Sequence, residues 1–414
     1  MPHVRSTATE RVLIIGGGIV GLTTAHTLRR RGLDVLVLDA GPDRICPSRG
    51  NAGQIAPGHP PIPSPAVPPK ALHMMLDRRS PLYIPPRPSL PLLLWLLAFR
   101  RACERSRYER NMEVLAHLSR ISRELFDELE EELGPAATLE ATGLADIWRT
   151  EAGELEAEAE TEWMSRLGFP TEYLDGPELR RRDPAWGPEV RGAVIHGDGM
   201  RIDPAILCDV IRAKISSLGG LIRTGCRVET IRRCSGGWEA VMSHGEIVGA
   251  GRLVLTAGVW SESLARMMGV SVAMQPAKGY HCMIRLAGAP TIAAVLREPK
   301  VGVTPMGSLL RVAGTLELSG FNHRLDPARI RQLMAAARVF LPGIRGAEPV
   351  DLWCGLRPCT ASGLPVIGRG LEGAWIATGH GMMGVTLATG TAKLIADDML
   401  GEPVPDWAGM LQPR

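Results

Sequence analysis

The sequence predicts an α/β protein: a discontinuous domain on a mostly parallel sheet, into which an α+β domain with a mixed or antiparallel sheet is inserted. Three observations predict it. Residues 11–39, RVLIIGGGIVGLTTAHTLRRRGLDVLVLD, read as strand, glycine turn, helix and strand; further strands for that sheet return only late, at 253–258 and 374–378; and residues 279–318 alternate apolar with polar positions as antiparallel strands do. At 414 residues the chain exceeds what one compact core holds. The pieces assigned to the first domain are 1–60, 193–268 and 350–414, and those assigned to the second are 61–192 and 269–349.

The opening unit is the most informative. Val12 to Ile15 are all apolar, as in a strand covered on both faces. Gly16, Gly18 and Gly21 then fit G-x-G-x-x-G, in which the first glycine permits the turn, the second lets a pyrophosphate approach and the third lets helix pack on strand. The helix predicted over Val20–Arg31 turns its amide-rich, positive end toward that anion, and Gly32 is a suitable stop. Asp39 closes the second strand eighteen residues after Gly21, where a carboxylate accepts hydrogen bonds from ribose hydroxyls and disfavours a 2′-phosphate. The unit is Rossmann-like and leaves NAD and FAD open.

Composition narrows the rest. A net charge of +3, with arginines scattered among acids, gives no reason to expect a nucleic-acid partner. The eight cysteines include no C-x-x-C pair and no histidine at metal spacing, which predicts a reduced, cytoplasmic chain without a metal site. MPHVRSTATE lacks an apolar signal core, and no run approaches the roughly 20 apolar residues of a membrane span.

Past Asp39 lies a long glycine- and proline-rich loop to about residue 69, whose Ser48, Asn51, Ala52, Gly53 and Gln54 fall beside the expected cofactor. Residues 70–133 read as helices. Among them Ser89–Phe99, SLPLLLWLLAF, is the most apolar stretch; it is either a helix packed on its own domain, the commoner case, or a segment resting on the inner face of a membrane. A strand pair is expected over Thr138–Trp148, helices over Glu151–Leu167, Leu174–Asp183 and Ala205–Leu218, and short strands over Leu221–Ile231, Trp238–Met242, Glu246–Val248 and Arg252–Leu255. Helices follow at Trp260–Met268, Leu325–Phe340 and, after GHGMMG, Val385–Leu400.

Taken together, VLIIGGGIVG with Asp39, GNAGQIAPG, SPLYIPPRPSL, HGDGMRIDP, PAKGYHCMIRL, CGLRPCTASGLPVIGR and ATGHGMMGVTLATGTAKLIADDML resemble, in order and spacing, the D-amino-acid oxidase superfamily of flavoenzymes. The likeness is nearest to its D-amino-acid dehydrogenase branch. It implies FAD, with Gly16, Gly18, Gly21 and Asp39 on the AMP half, Val228 near the adenine, and Ala257 and Gly258 near the diphosphate. Ser48, Asn51, Ala52, Gly53 and Gln54 would meet the diphosphate and ring. Gly379, His380, Gly381, Met382, Met383 and Gly384 would lead into a last helix whose N-terminus favours negative charge on the flavin.

The same resemblance implies that Arg357, in CGLRP, grips the substrate carboxylate through its planar fork, and that Tyr280, in KGY, closes the pocket. The implied reaction takes a hydride from the carbon bearing a neutral amine, and the resulting imine hydrolyses to a 2-oxo acid and ammonia. His59, His281 and His380 are histidines within reach of proton transfer, with no role assigned. A flavin link through Cys359 or Cys354 lacks a matching motif. The proline-rich loop and His59 depart from the branch's usual pattern, which leaves cyclic secondary amines such as D-proline or D-hydroxyproline, and glycine or sarcosine, as further substrates. Quinone, carrier protein and oxygen all remain open as electron acceptor. A flavoprotein subunit of a hetero-oligomer without its own catalysis, and a nicotinamide dehydrogenase, are the readings of other classes.

Overall fold

The computed structural model describes residues 10–42, 45–86 and 88–413. The amino-terminal segment read for a signal core lies outside the described residues up to position 9. Val12–Ile15, fully buried, pairs in parallel with Val35–Leu38 on one side and Arg252–Leu255 on the other. That core grows into six strands in the order Val366–Leu371, Ala374–Thr378, Arg252–Leu255, Val12–Ile15, Val35–Leu38, Leu221–Arg223, parallel except for the first pair. The order is that of a Rossmann-like sheet whose outer strands come from distant parts of the chain.

Helix Ile19–Arg30 packs Leu22, Ala25 and Leu28 into the core shared with helices Pro204–Ser217 and Ala388–Leu400. Gly32 at φ 82° follows its end, as a stop in the left-handed region should. Asp203 caps Pro204–Ser217, accepting from the Ala205 amide at 2.9 Å, with Pro204 in the first turn where a missing N–H costs nothing.

The second sheet has nine strands and is mixed. Its order is Pro349–Thr360, Met274–Arg285, Leu309–Glu317, Val301–Met306, Ala293–Leu296, Leu144–Trp148, Gly192–His196, Thr171–Asp175, with Leu82–Tyr83 added beside Leu309–Glu317. Helix Pro327–Phe340 covers one face through Ile330, Leu333, Met334 and Ala337. Gly192–His196 and Pro349–Thr360 therefore bond in this sheet, which corrects the expected boundaries at 193 and 350: both segments begin in the inserted domain before crossing to the other.

Other elements also differ from expectation. Thr138–Trp148 yields one strand, Leu144–Trp148, because Glu140 exchanges backbone hydrogen bonds with Arg201 instead of with its own hairpin. Leu174–Asp183 splits into strand Thr171–Asp175 and helix Gly176–Arg182, whose Asp175 cap and Pro177 start it late. Leu221–Ile231 breaks at Gly225, φ 70°, so that its halves join different sheets.

Helix Leu90–Ala102 packs one face on the protein and leaves the other exposed. Leu92, Trp95, Phe99 and Ala102 are buried, while Leu90, Leu93, Leu94 and Leu97 are 66%, 53%, 57% and 51% exposed. Among the described residues no helix is long and apolar enough to cross a membrane.

Candidate active site

The glycine turn is built on contacts that leave no room for a side chain. Gly16 stands at φ 112°, where a Cβ would strike the Thr256 carbonyl, and a Cβ on Gly21 would strike the Gly16 carbonyl and the Thr256 hydroxyl. A Cβ on Gly17 would collide with the Asp39 carboxylate, whose Oδ1 accepts from the Gly41 amide at 2.6 Å. Ser48 Oγ accepts from the Ile19 amide at 2.9 Å, so the loop after Asp39 is tied back to the first turn of the helix.

Most of these residues line a cavity of ≈ 430 Å³. Gly16, Gly18, Asp39, Ser48, Asn51, Val228, Ala257 and Gly258 line it, and so do Arg357, Trp353, His380, Gly381, Met382 and Gly384. Residues more than 300 positions apart in the chain thus share one cleft, and the Gly258–Trp260 turn after strand Arg252–Leu255 packs beside strand Pro349–Thr360. An isolated bridge between Cys359 and His380, with the Gly381 amide donating to the Pro358 carbonyl at 2.8 Å, fastens the arginine strand to the GHGMMG turn.

Arg357 is desolvated and its pKa is lowered by burial; its Nη1 donates to the Thr315 carbonyl at 2.9 Å. Among the described residues no carboxylate pairs with it. The guanidinium lies over Gly279, where a Cβ would collide with it. Trp353 lies over Gly355 and Gly50 in the same manner and stacks on His281 with ring centroids 5.0 Å apart.

Another arginine, the buried Arg311, donates to the Asn51 carbonyl at 2.5 Å, while His281 Nδ1 donates to the Gly50 carbonyl at 3.0 Å. Burial pushes Arg311 down to about 10 and His281 to about 3, so the imidazole is neutral and the guanidinium still charged near neutral pH. The two side chains hold the 49–51 loop against the large sheet.

Comparison with known proteins decides the family. Residues 11–398 match the model of the DAO family, described as FAD dependent oxidoreductase. The chain belongs to the DAO family. Among solved structures, glycine oxidase from Geobacillus kaustophilus is similar with a TM-score of 0.75 at 22% identity, covering 98% of this chain and 99% of that one. Iminodiacetate oxidase from Chelativorans sp. BNC1 gives 0.75 at 22% identity over 97% and 99%, and L-proline dehydrogenase from P. horikoshii 0.73 at 17% over 97% and 96%. At these identities the likeness is one of fold.

The cofactor of a DAO-family protein is FAD. The residues present fit a dinucleotide: the turn at Gly16 and Gly17 is free of side chains, the first helix directs its N-terminus at the cavity, and Asp39 stands at the end of the second strand. Gly21 serves this site by packing, since it lies between strand and helix and outside the cavity lining.

Several expected site residues lie elsewhere. Tyr280 does not reach the cleft. Strand alternation turns it to the face covered by helix Pro327–Phe340, where it is 0% exposed and donates to Glu317 at 3.1 Å. Gln54 is turned into the large sheet: its Nε2 donates to the Ala294 carbonyl at 3.0 Å and lies 3.1 Å from Thr304 Oγ1. Gly53, at φ 83°, makes that turn, and Ala52 lies against Gly302 of the sheet. Gly379 and Met383 line a separate small apolar cavity shared with Trp95 and Phe99. The last helix starts at Ala388 rather than Val385, preceded by a turn in which the Leu387 amide donates to the Met383 carbonyl at 2.9 Å.

His380 is held at Thr391, 3.0 Å away, and burial lowers it to about 3; His59 is lowered by burial as well. Burial pushes the Cys359 thiol up to about 12, and Cys354 donates to the His323 carbonyl on the far side of the sheet. Sequence reasoning left out Arg311 and Trp353. Period-two alternation carried back from Arg357 through Gly355 would have found Trp353, and an arginine inside the apolar run LLRVAG was the signal for Arg311.

Proposed function

We propose that this protein oxidises a small amino or imino acid, as a D-amino-acid dehydrogenase does, with Arg357 anchoring the carboxylate. The observation that carries the reading is the half-buried, desolvated guanidinium of Arg357, which lines the same cleft as the dinucleotide turn and has no carboxylate partner among the described residues. A desolvated cation without a carboxylate partner is completed by a ligand of opposite charge, and a guanidinium suits a planar carboxylate.

In this reading Gly16, Gly18 and Asp39 hold the AMP half of FAD, Val228 meets the adenine, Ala257 and Gly258 pass the diphosphate, and Ser48 and Asn51 with His380, Gly381, Met382 and Gly384 flank the flavin. FAD, when bound, supplies the acceptor for the hydride that leaves the substrate's amine-bearing carbon. The chain's own part is orientation. Gly279 and Gly355 carry no side chain, so the Arg357 guanidinium and the Trp353 ring can lie close against the backbone of the large sheet, which fixes the guanidinium beside the cleft. His281 and His380, both lowered to about 3 by burial, are weak bases near neutral pH, and neither is assigned the removal of the ammonium proton.

The exposed leucines of Leu90–Ala102 and the exposed Arg100 and Arg101 at its end support a contact with an anionic membrane surface, which would place the cleft near a bilayer-borne acceptor such as a quinone.

The deciding experiment is anaerobic reduction of the purified yellow protein by D-alanine, D-proline, D-hydroxyproline, glycine and sarcosine, with L-enantiomers as controls. Bleaching by one or more of the D-amino or D-imino acids supports the reading. Bleaching by glycine or sarcosine alone makes the protein an oxidoreductase of that type, and bleaching by none favours a non-catalytic subunit.

A further inference from the structure

The position of Arg357 is set by the Thr315 carbonyl, and Thr315 offers it from an unusual backbone. Its φ is 66°, in the left-handed region that a β-branched residue rarely occupies. The strand pairing shifts at the same place: Lys278 faces Glu317 while Tyr280 faces Gly314, so one strand carries an extra residue. This is a β-bulge, the device that re-aims groups beside sites.

The bulge is clasped from the opposite face of the sheet. Buried Glu317 sits 3.3 Å from Lys278 Nζ, accepts from the Tyr280 hydroxyl at 3.1 Å and lies 3.6 Å from Arg329 Nε. Lys278 also donates to the Arg324 carbonyl at 3.1 Å, and Arg329 lies over the Tyr83 ring at 5.0 Å. On either side of Glu317 the Leu316 amide donates to Pro81 and the Leu318 amide to Tyr83. Packing alone would be met by apolar residues here; a buried carboxylate with two cations and a phenol fixes one geometry.

We propose that Glu317, with Lys278, Tyr280 and Arg329, forms a positioning clasp for Arg357: by holding the Thr315 bulge from behind the sheet, it fixes the guanidinium where it meets the substrate carboxylate. Tyr280 then matters to the substrate without touching it. The inference rests on the reading that Arg357 binds that carboxylate.

The test uses the FAD-loaded protein with propionate as an unreactive carboxylate probe, its affinity read from the perturbed flavin absorbance. Glu317→Gln is expected to weaken propionate binding tenfold or more and to raise KM, with kcat at saturation within about threefold and thermal midpoint recorded alongside. Its crystal structure should show Arg357 displaced from the Thr315 carbonyl. If Glu317→Gln does not fold, Tyr280→Phe, which deletes one hydrogen bond, should weaken propionate a few-fold with the same split of KM from kcat. Unchanged propionate affinity in whichever variant folds, or Arg357 still seated on Thr315, overturns the clasp. Arg357→Leu separates the two claims: if it leaves propionate binding intact, the carboxylate reading itself fails; if it alone weakens binding, only the clasp fails.

Discussion

The Asp39 carboxylate lies against the α-carbon of Gly17, occupying the space that any side chain there would need. Gly17→Ala should therefore push Asp39 out of place while leaving the sheet intact. The expected outcome is a protein that purifies with at least tenfold less FAD, measured by the ratio of flavin to protein absorbance, and with a thermal midpoint of the apoprotein close to that of the parent. Full FAD occupancy in that variant would remove Asp39 from the ribose role.

Gly21 makes a different prediction, because its neighbours are the Gly16 carbonyl and Thr256 hydroxyl rather than the cavity. Gly21→Ala overpacks the helix on the strand and should cost about 1–3 kcal/mol in chemical denaturation of the apoprotein. A variant as stable as the parent would mean that the helix can shift outward freely.

Arg357→Leu should reduce affinity for carboxylated substrates by about a hundredfold, since a bidentate, charge-assisted contact is lost in a desolvated place. Arg357→Lys should recover part of it, a point charge replacing a fork. Substrate titrations of both variants, read as KM and as kcat/KM, check the order.

Stability should depend on pH through His281 and His380. Burial lowers both to about 3 from 6.5, so between these values the unfolded chain binds more protons than the folded one. Stability is thus full above pH 6.5 and lost as pH falls, by something on the order of 1–2 kcal/mol for each group at pH 5. Denaturant midpoints at pH 7 and 5 test this, and His281→Asn, which does not titrate, should show a smaller loss than the parent.

Leu93→Glu with Leu94→Glu should abolish sedimentation with vesicles containing anionic phosphatidylserine without lowering the thermal midpoint, because both leucines are exposed already. A parent protein that stays in the supernatant would end the membrane reading.

Much of the cofactor half was legible in the chain because its signals are local. The turn at Gly16–Gly21, the helix after it and Asp39 lie within one stretch, and Gly16, Gly17 and Gly21 are each explained by an atom that would strike a Cβ there. The GHGMMG turn and Arg357 were legible as motifs, and the structure brings them together through the Cys359–His380 bridge. Tyr280 and Gln54 were misplaced because their orientation depends on strand parity and on partners across the sheet, Glu317 and Ala294, that no local pattern names. The boundaries at 193 and 350 failed for a related reason: a strand's sheet is chosen by its partner, and Gly192–His196 and Pro349–Thr360 find theirs in the inserted domain.

By itself the sequence determined the α/β class and the dinucleotide unit, since glycine spacing and apolar periodicity act over short distances. Only the tertiary structure decided which face each strand residue presents, that Arg311 and His281 hold the 49–51 loop, and that a bulge at Thr315 seats Arg357. Those features depend on register between strands far apart in the chain, and a one-residue shift in register turns a side chain from one face of a sheet to the other.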